Sequence, residues 1–167
     1  MEFRELIRER RSVRSYEAGA IPHEDLVSIV QAAQMAPSWK NWQASRTYVV
    51  ETTEILEEFR QKTLPSFNQK SSKNAVLVVT TFIRGLVGHT AGAPDNELGD
   101  EWGAYHLGLH DAYLILAAKD AGYDSRIMGL RDAEVIREML GIPAEEEIVS
   151  VIAIGKRAGE PVFKARK

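Results

Sequence analysis

Ala75-Val76-Leu77-Val78-Val79-Thr80-Thr81-Phe82 is the stretch on which the fold turns. It is a continuous apolar and threonine run of strand length, rich in β-branched residues and without polar alternation, so it predicts a strand covered on both faces. Helices on either side of it in sequence supply the cover. Upstream, Pro22 suits a first helical position, His23-Glu24-Asp25 brings acids into the first turn, and Leu26, Ile29, Val30 and Ala33 form one face of a helix that stops at Ala36-Pro37. Downstream, Glu101 to Ala121 is the longest helical segment. Leu107, Leu109, Tyr113, Leu114, Leu116 and Ala117 make it apolar almost all round, which places it in the core or under a partner.

Working outward, Phe3, Leu6 and Ile7 mark a short amphipathic helix over residues 2–10, and Thr47-Tyr48-Val49-Val50 is a strand. Thr53 caps a helix carrying Ile55, Leu56 and Phe59. The Gly-rich residues 84–100, with Ala93-Pro94-Asp95-Asn96 as turn chemistry, read as a mobile loop. Asp124 to Met128 is a short strand, Asp132 caps a helix that Gly141 and Pro143 end, and Ile148 to Ile154 is the last strand. Four strands and five helices result, neither strictly alternating nor carrying a G-x-G-x-x-G turn, which speaks against a Rossmann fold and for an α+β layered sheet in one domain, 1–167.

Composition narrows the function classes. In 167 residues there are 21 Lys+Arg against 24 Asp+Glu, a net charge of -3, so no whole-molecule field draws the chain to nucleic acid. Zero cysteines exclude disulfides, thiolate metal sites and a thiol nucleophile. No apolar run approaches the ~20 residues that cross a bilayer, and the charged start is unlike a signal peptide, so the expectation is a cytoplasmic protein with no membrane and no nucleic-acid partner.

Four patterns are candidates to carry chemistry. Arg10, Arg11, Ser12 and Arg14 put three guanidiniums and a hydroxyl within five residues, enough to converge on a phosphate; a solvated helix end explains them as well. Lys164-Ala165-Arg166-Lys167 is a second basic cluster, and a frayed tail is its plain reading. The loop Ala36-Pro37-Ser38-Trp39-Lys40-Asn41-Trp42-Gln43 combines amides, a hydroxyl and two indoles, suited either to the edge and face of a heteroaromatic ring or to ordinary packing. His106 and His110, at i and i+4 with Glu101, Asp111 and His89 nearby in sequence, form a rival constellation that would make the protein a metal-dependent hydrolase.

Taken in order, Arg10-Arg11-Ser12-Val13-Arg14, Ala36-Pro37-Ser38-x-x-Asn41-x-Gln43, Phe67-Asn68-Gln69, Leu116-Ala117-Ala118 with Gly122 to Gly129, and Leu140-Gly141-Ile142-Pro143 before Ile152-Ala153-Ile154-Gly155 resemble the nitroreductase family of FMN-dependent oxidoreductases. The resemblance implies an α+β fold with a mixed, mainly antiparallel sheet of about four to five strands flanked by helices, assembled as a homodimer with FMN sites at the subunit interface. It implies that Arg10, Arg11, Ser12 and Arg14, with Lys164 and Arg166, hold the FMN phosphate. Pro37, Ser38, Asn41 and Gln43 would reach the flavin from the partner subunit, Asn68 would lie near the ribityl chain and ring edge, and the backbone at Met128 and Gly129 would face the reactive ring nitrogen. The implied reaction passes electrons from NADH or NADPH through FMN to a flat small-molecule acceptor. Asp124-Ser125-Arg126-Ile127 departs from the family's Gly-Thr-Cys-Trp-like stretch, His106 stands where an acid is common, and residues 84–100 are too short for a helical excursion over the substrate. Those departures leave an FMN-binding protein without turnover as the alternative.

Overall fold

The computed structural model describes residues 2–160. Four strands, β1 (Ser45–Val50), β2 (Val76–Ile83), β5 (Asp124–Met128) and β6 (Glu146–Gly155), form an antiparallel sheet in the order β1-β2-β6-β5. The register pairs Val50 with Leu77, Val76 with Ile154 and Asp124 with Gly155, and it slips by one residue at Thr80/Thr81. As the apolar run requires, β2 is central and buried along nearly its whole length.

Side chains alternate across this sheet into two cores. On one face Leu77, Val79, Met128, Val151 and Ala153 pack with Phe59 of α3 (Thr53–Thr63) and Ile136 of α6 (Ala133–Leu140). On the other, Val76, Val78, Ile152 and Ile154 meet Leu26, Ile29 and Ala33 of α2 (His23–Ala33) and Leu114 and Ala118 of α5 (Glu101–Asp120). Each fully buried aliphatic side chain contributes about 1.5–3 kcal/mol, and both faces are covered, so the sheet is fixed in register by the pattern of its own residues.

Local chemistry sets the helix ends, with some changes from expectation. The Asp132 side chain accepts a 3.1 Å bond from the Val135 amide, and Gly141, at φ 63°, closes α6 in the left-handed conformation. Pro22 is the N-cap of α2 rather than its first residue, and α2 is regular only to Ala33. Thr53 is the first residue of α3; the cap is Thr52, whose side chain makes no capping bond. A helix unmarked by apolar period, α4 (Ser66–Ser71), follows Pro65, and α1 (Phe3–Glu9) precedes the arginine cluster. Residues 84–100 are not bare loop. They fold into a small hairpin, β3 (His89–Thr90) with β4 (Ala93–Pro94), held by Asp95 N–H to Gly88 O at 2.7 Å and Trp102 Nε1–H to Asn96 Oδ1 at 2.9 Å.

Candidate functional site

The arginine cluster leaves α1 and becomes an extra half-strand. Val13 N–H donates to Ser125 O at 3.1 Å, Glu17 N–H to Lys156 O at 2.9 Å, and Ala158 N–H to Ser15 O at 3.0 Å. Residues 12–17 therefore run along the outer edge of β5 and past the end of β6, and the segment leading to the C-terminus lies beside them. Lys164 and Arg166 fall outside the described residues. Ser12 and Arg14 are exposed, Arg10 and Arg11 half-buried, and the Arg14 guanidinium bonds the Ser12 carbonyl at 3.3 Å.

Two of the four departures on β5, Asp124 and Arg126, acquire side-chain partners. The Asp124 carboxylate is buried and bound by Arg157 at 2.9 and 3.0 Å and Lys119 at 3.2 Å. Ser125 receives the Val13 amide. Arg126 is 9% exposed; it donates to Asn68 Oδ1 at 2.9 Å and to Ser71 Oγ, and its guanidinium lies 5.0 Å from the Phe67 ring centre. No carboxylate among the described residues pairs with Arg126. Burial depresses its pKa, and the charge of Arg14 pushes the same way. Asn68, buried on α4, also donates to Leu130 O at 2.9 Å and so ties α4 to the backbone just beyond Met128 and Gly129. Met128 is packed in the core, while Gly129 is exposed with open space where a Cβ would stand.

The loop after α2 is built differently. Lys40, Asn41 and Gln43 have φ of 50°, 56° and 50°, three non-glycine residues in the left-handed region within four positions. Such backbone costs on the order of 1 kcal/mol each and persists where surroundings over-determine it. Here Ser38 Oγ accepts from Gln43 N–H at 3.0 Å, Gln43 Nε2 donates to Asn41 Oδ1 at 3.1 Å, and Trp39 packs edge-on against Trp102 of α5 at 5.1 Å. Asn41, Trp42 and Gln43 are left exposed. Pro37, Ser38 and Gln43 line a cavity of about 190 Å³ together with Gln34, His106 and His110.

The loop and the arginine segment occupy diagonal corners of the sheet. Ser45, which follows the loop, pairs with Phe82 and through it aligns with Glu147, whereas Ser125, which holds Val13, aligns with Ile154. Seven residues of β6 and three interstrand gaps separate them, roughly 23 Å along the strands and about 14 Å across. That separation exceeds the length of a mononucleotide.

Near the cavity lies a buried polar network. Asp111 accepts from Thr80 Oγ1 at 3.0 Å and Ser150 Oγ at 3.4 Å and sits 3.2 Å from His110 Nδ1, while His110 Nε2 meets Thr47 Oγ1 at 3.3 Å. Glu146, also buried, accepts from Tyr48, whose pKa is pushed up to about 12 by burial and by that carboxylate. His106 stacks on Trp102; its buried Nδ1 has no partner among the described residues, and burial holds its pKa below the usual imidazole range. His106 and His110 share the cavity, but His89 turns to Val87 O at 3.0 Å. Among the described residues no three His, Cys, Asp or Glu side chains converge as a metal ion would need.

Comparison with known proteins agrees with this architecture. A model of the nitroreductase family matches residues 7–156, and the chain belongs to that family of oxidoreductases. YdgI of Bacillus subtilis (strain 168), whose name assigns it as an NAD(P)H nitroreductase, is 28% identical over 191 aligned positions covering 95% of this chain and 90% of YdgI. That alignment is longer than the 167-residue chain, so YdgI carries segments absent here. A solved structure described as an oxidoreductase containing FMN superposes with a TM-score of 0.79 at 27% identity, over 92% of this chain and 76% of that one. A nitroreductase family protein from Streptococcus pneumoniae TIGR4 superposes with a TM-score of 0.83 at 22% identity, over 99% and 96%, a likeness of fold. No helix among the described residues is long and apolar enough to cross a membrane.

Arg126, which motif reading named only as part of the departure at 124–127, is the buried cation that the structure sets against Asn68 and Ser71. Its signal was present: an arginine in a strand whose neighbours are otherwise small, apolar or paired.

Proposed function

We propose that the chain is an FMN-dependent oxidoreductase that takes electrons from NADH or NADPH and passes them to a flat acceptor such as a nitroaromatic or quinone, in alternating half-reactions at one site. The observation that carries this reading is the concentration of positive charge along the outer edge of β5: Arg10, Arg11 and Arg14 with the Ser12 hydroxyl, and behind them Arg126, which no carboxylate among the described residues pairs. That donor set fits a flavin mononucleotide. Arg10, Arg11, Ser12 and Arg14 would hold the phosphate, joined by Lys164 and Arg166; Asn68 and the backbone at Met128 and Gly129 would border the ring. FMN supplies the hydride and electron chemistry, and the protein supplies binding, orientation and electrostatics.

The functional unit is a homodimer. The diagonal separation of Arg10–Arg14 from Pro37, Ser38, Asn41 and Gln43 supports it, since one mononucleotide cannot touch both corners of one sheet and a two-fold axis can bring one corner of each subunit together. The exposed Tyr105 and Tyr113 on α5 give such an axis apolar surface to cover. Mixing Arg14→Ala subunits with Asn41→Ala subunits checks the sharing. In the heterodimer one site collects both lesions and the other is intact, so FMN binding recovers to about half of wild type; no recovery would place both groups in one subunit's site. Anaerobic stopped-flow with NADH and NADPH checks turnover, with bleaching of the flavin band expected on a catalytic timescale. A flavin that stays oxidised would make the protein an idle FMN binder.

A further inference from the structure

Two residues apart on β5, the structure disposes of two buried charges in opposite ways. Asp124 is matched by Arg157 and Lys119. Arg126 has a neutral amide, a hydroxyl and an aromatic face, and its charged neighbour is another cation, Arg14. Taking a guanidinium out of water without a counter-charge is strongly unfavourable unless something else brings the negative charge. The hydrogen bonds to Asn68 and Ser71 fix its orientation and do not neutralise it.

The surroundings say what kind of anion belongs there. Phe67, whose ring lies 5.0 Å from the Arg126 guanidinium, is 61% exposed, and Leu130, whose carbonyl accepts from the Asn68 that also holds Arg126, is 73% exposed, so large apolar surface stands open beside the place where Arg126 is buried. A phosphate dianion is held by hydrated groups such as the exposed Ser12 and Arg14; a flat aromatic system covers apolar side chains and presents charge only at one edge. In a flavin that edge is the pyrimidine side, N1 and the C2 carbonyl, where negative charge accumulates when the ring takes up a hydride at N5.

Resting on the FMN reading above, we infer that Arg126 faces the pyrimidine edge of the flavin ring, balancing the negative charge of the reduced cofactor and raising its potential. The chain's departure from the family at 124–127 is then a relocation of charge onto β5. Asn68 and Ser71 serve as positioning residues for that guanidinium, and the described residues leave a cation whose charge the cofactor balances.

Arg126→Met removes the charge and keeps the bulk; Arg126→Gln keeps a hydrogen-bonding end for Asn68 and Ser71 without the charge. Three readouts are taken on full-length wild type and both variants: melting temperature without flavin, affinity for oxidised FMN and for riboflavin, and midpoint potential of the bound flavin. The expected result is a flavin-free melting temperature equal to or above wild type and affinity for both flavins lower by about tenfold or more. Reduced flavin is expected to lose about tenfold more again, a fall in potential of about 30 mV for two electrons. Riboflavin affinity and potential unchanged, with FMN alone weakened, would assign Arg126 to the phosphate and overturn the proposal. So would flavin-free variants that melt well below wild type, because Arg126 would then be a structural residue. Wild type that binds no flavin would defeat the FMN reading itself, an outcome separate from either.

Discussion

Asp124 and Arg126 sit on one short strand, both buried and both charged, yet the described residues neutralise the first and leave the second without a counter-charge. A structural charge is one whose partners travel with it in the same chain. Asp124 has them because Lys119 ends α5 and Arg157 follows β6, so three elements are pinned at one carboxylate. Among the described residues Arg126 has partners that aim it and none that cancel it, as the proposed role in binding an anion requires. The difference teaches that burial and charge do not separate scaffold from site on this strand; the sign of the neighbours does.

The largest expected effect tests the scaffold half. Asp124→Asn leaves Lys119 and Arg157 facing a neutral amide inside the protein and should destabilise the flavin-free chain by about 3 kcal/mol or more in chemical denaturation, with little change in the slope. A loss under 1 kcal/mol would mean that the pairs are as weak as surface salt bridges, and the contrast with Arg126 would dissolve.

Next in size is Arg14→Ala, expected to cost about 1.5–3 kcal/mol of FMN affinity in a fluorescence titration while the unfolding midpoint of the flavin-free protein stays within experimental error. Arg14 is exposed and among the described residues bonds a neighbouring carbonyl, so a large stability loss would move it from the site to the scaffold.

Asp132→Ala serves as a control away from β5. Losing the cap on the Val135 amide should cost about 1 kcal/mol of stability, with flavin-free and FMN-loaded protein shifted alike. An FMN-dependent shift would show that α6 communicates with the site.

The smallest effect concerns His106. Its folded pKa lies below the usual value because of burial, so the unfolded chain binds the extra proton first as pH falls. The contribution is flat above the unfolded pKa of roughly 6.5 and stability declines below it. His106→Gln should flatten the pH dependence of the melting temperature below the unfolded imidazole value of about 6.5; an unchanged slope would mean that the orphaned Nδ1 finds a partner.

Much of this was legible in the residues. Ala75 to Phe82 fixes a central strand because no polar residue interrupts it, and Asp132 and Gly141 frame α6 by cap chemistry that needs no tertiary help. The α4 helix was not legible, since Ser66–Ser71 is short and its polar residues are buried by tertiary contacts rather than by an apolar stripe. Nor was the left-handed turn of Lys40, Asn41 and Gln43, which contains no glycine to announce it. Arg10 to Arg14 stood out by density of charge, whereas Arg126 stood alone in the sequence and gained meaning when α4 closed over it. The diagonal placement of loop and arginines depends on strand order, which spacing along the chain does not encode.

The measurement that bears most directly on the account is a fluorescence and absorbance titration of the purified chain with FMN, run beside riboflavin. The expected result is saturable FMN binding at one flavin per chain, with riboflavin markedly weaker because Arg10, Arg11, Ser12 and Arg14 lose the phosphate. Failure to saturate with FMN, or a riboflavin isotherm that superposes on it, would contradict the account.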